Sequence, residues 1–269
     1  RRRRPGAERP AANPMPDLQG TVGQLWPFYA AAVGAWLIGG IPFGLILTRL
    51  AGAGDLRRIG SGSFGATNVL RTGRTGLAAL TVLLDAGKGA AAVVVGGAFS
   101  PDMAIIAGYF AVLGHVMPAW LHLRSWLALG TVGAVIVAHN VSAGGAPIGG
   151  WLFVAWTLVA ALFATGRTGG GKGVATTFAV LAVVAPPLGA VFAGLWLATA
   201  LAFRYSSLAG LVAVAATAVI GRWLATEGVV AFQATELAGV LALLVWARHR
   251  GNLVRLARGE EPHIHLRRT

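Results

Sequence analysis

Residues 25–50 read LWPFYAAAVGAWLIGGIPFGLILTRL, an almost wholly apolar run whose one charge is Arg49. A helix of about 20 apolar residues crosses the hydrocarbon core of a bilayer, so this run is long enough to span it. It is too long for the apolar part of a secretory signal, and it has no signal cleavage site. We therefore predict a transmembrane helix that the mature protein keeps.

More apolar runs follow along the chain. They lie near 76–98, 103–121, 125–141, 149–165, 173–186, 188–203, 208–222 and 229–247. Of all residues, 56% are hydrophobic and 12% are charged, whereas about a quarter are charged in a soluble domain. The sequence predicts an all-α, polytopic transmembrane helix bundle with at most nine crossings.

Basic residues are concentrated in some of the links between these runs. The tail after the last run carries Arg248, Arg250, Arg255, Arg258, Arg267 and Arg268. If this tail is cytoplasmic, alternation places links 51–75, 122–124, 166–172 and 204–207 on the same side, and Arg222 is the one basic residue in the opposite links. The net charge of +13 is thus typical of cytoplasmic membrane loops, and we expect no nucleic-acid partner.

Residues 1–20 differ in composition from the apolar remainder of the chain. Residues 1–20 are rich in Arg and Pro and reach Met15 without an earlier Met, so we expect a disordered or upstream extension before a membrane domain at 21–269. The chain has no cysteine. Disulfides and thiolate metal sites are therefore excluded.

The first cytoplasmic link contains the run GSGSFGATNVLR at residues 60–71. Its small residues can present backbone N–H groups to an anion, with Ser61, Thr67 and Asn68 as further donors. Arg71 adds bidentate recognition of oxygen atoms. A flexible Gly/Ser turn is the alternative interpretation.

A second motif is split between GHVMP at 114–118 and TGGGKGVAT at 168–176. Its glycines allow close backbone approach to a phosphate, and Lys172 supplies a point charge. The spacing also fits half of a nucleotide P-loop, but Gly173 replaces the magnesium-binding hydroxyl residue and no buried strand precedes it, which excludes ATP binding. His115 is either part of this site or a capping or interfacial residue.

The third motif is HRGNLVRLARGEE at residues 249–261. If the last helix continues past Trp246, His249 and Asn252 share one face because they are three residues apart. Arg255 is either part of this site or an ordinary positive-inside anchor.

These three stretches resemble the signature blocks of the acyl-phosphate-dependent glycerol-3-phosphate acyltransferases. The blocks are GSGNxGATNxxR, GHxxP followed by GGKGVAT, and HRxNxxRLxxGxE. Asp85 with Lys88-Gly89, and the run Arg204 to Ser207, match further positions. The resemblance extends from about residue 40 to 261 in the family's order.

The resemblance implies a seven-helix enzyme of the bacterial inner membrane with a cytoplasmic active site. It would transfer a fatty acyl group from acyl phosphate to the sn-1 hydroxyl of glycerol 3-phosphate, giving lysophosphatidic acid and phosphate in the first step of phospholipid synthesis. Its partners would be these substrates and membrane lipid. We expect no metal and no cofactor, and a monomer that suffices for activity.

The resemblance also assigns roles to residues at matching positions. As catalytic residues it implies Ser61, Arg71, Lys172, His249 and Asn252. It also implies Ser207 at the phosphate site, and we predict further substrate- and phosphate-binding residues in the motifs at Gly62, Thr67, Asn68, His115, Gly170, Gly171 and Gly173. We predict structural roles for Asp85, Lys88 and Glu261.

The chain departs from the family's pattern in two places. Ser63 replaces the usual Asn, which removes an amide from the first motif. About residues 123–167 are extra and carry two apolar runs, so we predict an inserted helical hairpin. An even number of crossings returns the chain to the same side, so His115 and Lys172 can still meet. His139, within this insert, fits a helix-end or packing role.

Three ionisable residues fall inside predicted spans. Asp85 and Lys88 are at i, i+3, which predicts an ion pair, and Glu236 needs a protein partner or protonation. Such residues also suggest an alternative, a polytopic transporter or lipid-translocating protein. That class should place polar groups at the midplane or on both faces, whereas the motifs here crowd one predicted face.

Overall fold

Helices form wherever the described part of the chain carries a predicted apolar run. The computed structural model describes residues 22–118, 120 and 170–264. Its α-helices are α1 (Val22–Gly39), α2 (Phe43–Leu50), α3 (Ala66–Val69), α4 (Thr75–Gly97), α5 (Pro101–Val116), α6 (Val174–Val184), α7 (Pro186–Phe203), α8 (Ser206–Thr226), α9 (Phe232–Arg248) and α10 (Arg250–Ala257). The all-α prediction is confirmed, and no strand occurs within these ranges. The predicted extension at 1–20 and the predicted insert at 123–167 lie outside the described residues.

Within the described residues, four stretches are long and apolar enough to cross a membrane. They are Trp26–Leu50, Thr75–Gly97, Pro186–Phe203 and Ser206–Thr226. Helices α5 and α6 are apolar but shorter. The chain is therefore a multi-pass membrane protein.

The first apolar run is long and apolar enough to be one membrane span, Trp26–Leu50, and a break divides this span into two helices. Helix α1 ends at Gly39 and α2 begins at Phe43. Pro42 has no N–H to donate, and the residue before a proline avoids the α conformation. At this break the carbonyl oxygen of Ile41 accepts from the N–H of Phe43 at 3.1 Å and from Nζ of Lys88 at 2.8 Å.

Proline also explains where α5 and α6 end. The run predicted to reach residue 121 leaves the α conformation after Val116, because Met117 precedes Pro118. Ala185 is extended and separates α6 from α7, which begins at Pro186. Proline at the first helical position is favourable, since its missing N–H would have no partner there.

Helix α5 lies at the centre of the bundle. All of residues 107–116 are buried. A Cβ at Gly39 would overlap the backbone of α5, and a Cβ at Gly114 would overlap the carbonyl oxygen of Trp36. Close backbone approach of this kind stabilises helix pairs in lipid, where association of helices gains little hydrophobic energy. Trp36 Nε1 adds a hydrogen bond to the carbonyl oxygen of Met117 at 3.1 Å.

The two charges inside α4 pair with each other, as their spacing predicts. Lys88 Nζ lies 2.8 Å from Asp85 Oδ1, and the two side chains are 2% and 3% exposed. His115 Nδ1, on α5, lies 3.5 Å from the same oxygen. Thr176 Oγ1, on α6, donates to the backbone carbonyl of Asp85 at 3.0 Å. This buried ionic cluster (Asp85, Lys88 and His115) joins α4 to α5 and α6 and, through Ile41, to the break after α1.

Glu236 lies in the first turns of α9. Its Oε2 is buried and has no hydrogen-bond partner among the described residues. Arg222, on α8, is the charge that acts on it, but the guanidinium of Arg222 stacks on the ring of Phe232 at 3.8 Å. The described residues therefore supply a nearby cation for Glu236 without a direct ion pair.

Replacing Lys88 by Met should lower the free energy of unfolding in detergent micelles by about 3 kcal/mol, because it leaves a buried carboxylate unpaired. The double variant Asp85→Leu/Lys88→Met should lose less than Lys88→Met alone, since it removes both charges. Arg49→Met breaks an exposed pair with Asp55 and serves as the control, with an expected loss below about 1 kcal/mol. A double variant that is less stable than Lys88→Met would contradict this account.

Candidate functional site

One end of the bundle gathers the three sequence motifs. Thr67 Oγ1 and Ser206 Oγ are 3.2 Å apart, which joins the first motif to the start of α8. The N–H of Gly171 donates to the carbonyl oxygen of His115 at 2.9 Å and joins the two halves of the second motif. Arg248, at the end of α9, donates to the same glycine segment. The links after α2, before α6, after α7 and after α9 therefore meet at one end, as the alternation predicts.

Asn68 holds the first motif in shape. Its Nδ2 donates to the carbonyl oxygens of Leu56, Ile59 and Ser63 at 3.1, 2.9 and 2.7 Å. Its Oδ1 lies 3.4 Å from Nη1 of Arg71. The sequence predicts Asn68 as a donor to phosphate, but in the structure its amide hydrogens face the backbone of its own loop. Arg71 is the exposed cation that this loop presents.

Gly60 leaves room for Arg71 in the first motif. A Cβ at Gly60, whose φ is +51°, would overlap the Arg71 guanidinium, so glycine there leaves room for the cation. Gly62 is buried. Ser61 is exposed, and its Oγ donates to Oγ of Ser63 at 3.2 Å. Ser63 thus keeps one polar contact at the position where the family pattern has an amide.

The segment of residues 170–173 must be built from small residues where it faces α5. A Cβ at Gly170 would overlap the carbonyl oxygen of Val116, and a Cβ at Gly171 would overlap Nε2 of His115. Gly173 is left-handed, with φ +86°, and precedes α6 without a side-chain cap. Backbone N–H groups in the first turn of a helix have no intrahelical partner, so the start of α6 can bind an anion.

His115 supports this segment from inside the bundle. It is 3% exposed, and Phe64 packs edge-on against its ring at 5.7 Å between centroids. The sequence leaves open a capping or interfacial role, and burial in the ionic cluster is neither. His115 therefore reaches the site through the backbone of Gly171.

Lys172 is partly buried among other cations. Burial lowers the pKa of Lys172 to about 8; Glu261 opposes this change, and the charges of Arg255, Arg71 and Arg248 add to it. Three positive charges and one negative charge thus act on the lysine. A bound anion would relieve this repulsion, since like charges in a partly buried region destabilise one another.

His249 lies at the junction between α9 and α10 and is 1% exposed. Its Nδ1 lies 2.8 Å from the carbonyl oxygen of Val245. A carbonyl can only accept, so the neutral ring carries its proton on Nδ1 and leaves Nε2 as an acceptor. Burial lowers the pKa of His249 to about 4, and the charge of Lys172 contributes. The imidazole is therefore neutral near pH 7.

Glu261 is the centre of a network that closes the third motif. Its Oε1 accepts from Ser207 Oγ at 2.7 Å and from Asn252 Nδ2 at 2.5 Å. Its Oε2 accepts from Arg255 Nε at 2.8 Å. Burial opposes ionisation, but these hydrogen bonds hold the pKa of Glu261 below its ordinary value. The sequence predicts that Ser207 and Asn252 lie at the substrate. In the structure, the Ser207 hydroxyl and the Asn252 side-chain nitrogen both donate to Glu261.

The last long helix continues past Trp246, as the sequence argument requires, and one turn residue, His249, separates it from the next helix. Helix α9 ends at Arg248, and α10 begins at Arg250. The N–H of Asn252 donates to the carbonyl oxygen of His249 at 2.8 Å, so the chain turns without a long link. His249 and Asn252 are both buried at this end of the bundle.

Arg248 is the residue at this site to which the sequence analysis gave no role beyond that of a positive-inside anchor. A signal for its position existed, because Leu244 and Val245 are buried and residues three and four apart share a helix face. Arg248 therefore falls on the inward face of α9.

The arrangement suits phosphate groups. It offers the cations Arg71 and Lys172, the hydroxyl of Ser61, the uncapped start of α6 and a neutral imidazole at His249. Within the described ranges, no group of three or more His, Cys, Asp or Glu side chains could hold a metal ion. Such a site can bind, orient and stabilise phosphate oxygens through charge and hydrogen bonds.

Comparison with known protein families gives a consistent result. A family model described as glycerol-3-phosphate acyltransferase matches residues 29–165 and 159–259. A glycerol-3-phosphate acyltransferase of Paramagnetospirillum magneticum is 42% identical over 236 residues, which cover 87% of this chain and 92% of that protein. One of Methylorubrum populi is 42% identical over 240 residues, covering 89% and 94%.

Two solved structures are similar to this chain. Both are crystal structures of PlsY (YgiH), an integral membrane glycerol 3-phosphate acyltransferase. The glycerol 3-phosphate form has a TM-score of 0.66 and 27% identity and covers 89% of this chain and 96% of that one. The lysophosphatidic acid form has a TM-score of 0.63 and 26% identity, covering 88% and 95%.

Gly171→Ala should weaken binding of inorganic phosphate on the order of 100-fold, because the new methyl group must displace either His115 or the segment of residues 170–173. Gly87→Ala, in α4, is the matched control, since a Cβ there meets nothing within 4 Å. Calorimetric titration with phosphate measures both. Equal affinity in the two variants would show that the tight contact at His115 does not shape the site.

Proposed function

The chain belongs to the glycerol-3-phosphate acyltransferase family, and from this premise we propose that it transfers a fatty acyl group from acyl phosphate to the sn-1 hydroxyl of glycerol 3-phosphate. The products are lysophosphatidic acid and inorganic phosphate, in the first step of phospholipid synthesis. One observation carries the proposal: the charge of Arg71 acts on Lys172, and the charge of Lys172 acts on His249, so the three motifs contribute to one site at this end of the bundle.

The two substrates bring two phosphate groups, and the site has two sets of donors. Lys172 and the first turn of α6 are suited to one phosphate. Arg71, with the exposed hydroxyls of Ser61 and Thr67, is suited to the other. Because the cations outnumber the acids here, both phosphates can bind without a metal ion or cofactor.

The reaction needs little covalent help from the protein. The sn-1 oxygen attacks the acyl carbonyl carbon, the bond from that carbon to the phosphate oxygen breaks, and inorganic phosphate leaves. Acyl phosphate is already activated, so positioning and electrostatic stabilisation supply most of the acceleration. The hydroxyl proton leaves during this attack, and the departing phosphate can take it.

His249 orients the attacking hydroxyl in this scheme. Its Nε2 is an acceptor because Nδ1 donates to Val245. A pKa of about 4 makes it a weak base while the site holds no anion, and negative phosphates beside it raise that value. Asn252 retains its side-chain oxygen for the same task, since its nitrogen donates to Glu261.

The fatty chain lies between helices, reached from the lipid. A groove of about 270 Å³ on the surface of α1, α4 and α5 is lined by apolar residues that include Trp26, Val95 and Met103. Met103 is about 18 Å along α5 from His115 at 1.5 Å per residue. That distance is close to the thickness of one leaflet, about 15 Å.

We place the site and the carboxyl terminus in the cytoplasm and the helices in the inner membrane, because the Arg-rich links meet at the site end. The segment of about 123–167 remains proposed as an inserted hairpin. In support, Gly170 packs on Val116, so the chain leaves α5 and reaches α6 at the same end. A monomer contains all the residues assigned here.

The alternative of a transporter or lipid-translocating protein loses its main support. It rested on charged residues within the spans, and Asp85 and Lys88 neutralise each other at 2.8 Å. A charge pair of this kind stabilises the bundle without a transported ion.

Arg71→Ala and Lys172→Ala should each lower kcat/KM on the order of 100-fold, because each removes a charge-assisted contact to a phosphate. The assay follows phosphate release by the purified chain with acyl phosphate and glycerol 3-phosphate. Arg258→Ala, at an exposed position after α10, should match wild type. Wild-type release that does not require glycerol 3-phosphate, or full activity of both site variants, would refute the assignment.

The kcat/KM should fall as pH rises through about 8, because Lys172 then loses its proton. Lys172→Arg should abolish this inflection, since a guanidinium does not titrate in this range. An unchanged inflection in Lys172→Arg would assign it to another group.

A further inference from the structure

Arg248 carries an unusual combination of contacts. Its Nη2 donates to the carbonyl oxygen of Gly170 at 3.3 Å. Its Nε is shielded from solvent and has no hydrogen-bond partner among the described residues. Its charge acts on both Lys172 and His249. A shielded donor without an acceptor is unfavourable, so this nitrogen is suited to a ligand that accepts.

No carboxylate of the described residues forms an ion pair with Arg248. The sequence has nine acidic residues, and none lies between 119 and 169. Glu261 and Asp85, at the site and beneath it, each form an ion pair with another cation. A partly buried cation without a counter-ion is costly in a region of low dielectric constant. The uncompensated charge therefore favours an anionic ligand.

We propose that Arg248 is a positioning residue of the phosphate site: its guanidinium holds the carbonyl of Gly170 and orients the segment of residues 170–173 around a bound phosphate. The proposal rests on the function proposed above and deepens it. Two successive residues of the segment are held by different helices, Gly170 by Arg248 on α9 and Gly171 by His115 on α5. The backbone between these two points cannot turn freely.

Arginine suits this task better than lysine would. A guanidinium has five N–H donors in a planar fork, so one nitrogen can hold the loop while another reaches a second acceptor. Its charge also adds to the attraction of Lys172 for phosphate. Arg248 thus acts on the ligand through both the backbone and the electrostatic field.

The test uses the full chain in detergent and inorganic phosphate as the probe, titrated calorimetrically at pH 7. Arg248→Met removes the charge and the donors and should raise the Kd for phosphate on the order of 10-fold. Arg248→Gln keeps a donor for Gly170 but loses the charge, and it should raise the Kd less. Arg258→Met, an exposed arginine one helix further along, is the control and should bind as wild type does.

A pH series separates positioning from a merely structural role. Lys172 faces Glu261, Arg255, Arg71, Arg248 and His249, and its pKa of about 8 sets the pH at which phosphate affinity declines. Loss of the Arg248 charge should move that midpoint upward, because one repelling cation is gone. If loss of Arg248 only destabilised the fold, less protein would bind phosphate. The pH midpoint of phosphate binding by the protein that remains folded would then not change.

The glutamine variant keeps the test decisive if Arg248→Met does not fold. Wild-type Kd and an unmoved midpoint in Arg248→Gln would overturn the proposal. Steady-state kinetics of the Arg248 variants identify which substrate's phosphate lies at residues 170–173. The KM of that substrate should rise more than the KM of the other substrate. If wild type binds phosphate but transfers no acyl group, the proposed function fails while the assignment of Arg248 can stand.

Discussion

The ion pair between Asp85 and Lys88 is the contact on which the site end of the bundle depends. In lipid, no water is present to solvate a charge or to hydrogen-bond a carbonyl group, so each needs a partner within the protein. Lys88 satisfies both Asp85 and the carbonyl of Ile41 at the break after α1. Asp85 in turn faces His115 and accepts from Thr176 through its backbone. A single pair thereby sets α2, α4, α5 and α6 relative to one another.

The site above this cluster has the opposite electrostatic character. Beneath it, charges of opposite sign neutralise each other; around Lys172, cations outnumber acids and Glu261 already serves Arg255. Repulsion among cations costs stability, and the proposed binding of phosphate would offset that cost. Burial also keeps His249 neutral. An acceptor thus lies beside strong positive charge, as the proposed attack of a hydroxyl next to two phosphates requires.

Much of the fold follows from local chemistry in the sequence. The apolar runs predict helices, the Arg-rich links predict which ends meet, and the spacing of Asp85 and Lys88 predicts their pairing. The break at Pro42 was missed because the apolar pattern continues across it, although the proline itself signals it. At the site, the motifs identify Arg71, Lys172 and His249 as neighbours. They do not reveal that Asn68 donates to its own loop or that Ser207 and Asn252 donate to Glu261.

The sequence by itself determined the class of protein, the family resemblance and the grouping of the motifs at one end of the bundle, because hydrophobicity, charge bias and motif spacing are properties of the chain in order. Only the tertiary structure decided which donors are already engaged and that Arg248 forms no ion pair with a carboxylate of the described residues. Hydrogen bonds between residues such as Ser207 and Glu261, or Arg248 and Gly170, join positions more than fifty residues apart. Their formation depends on the packing of separate helices, and no local pattern encodes that packing.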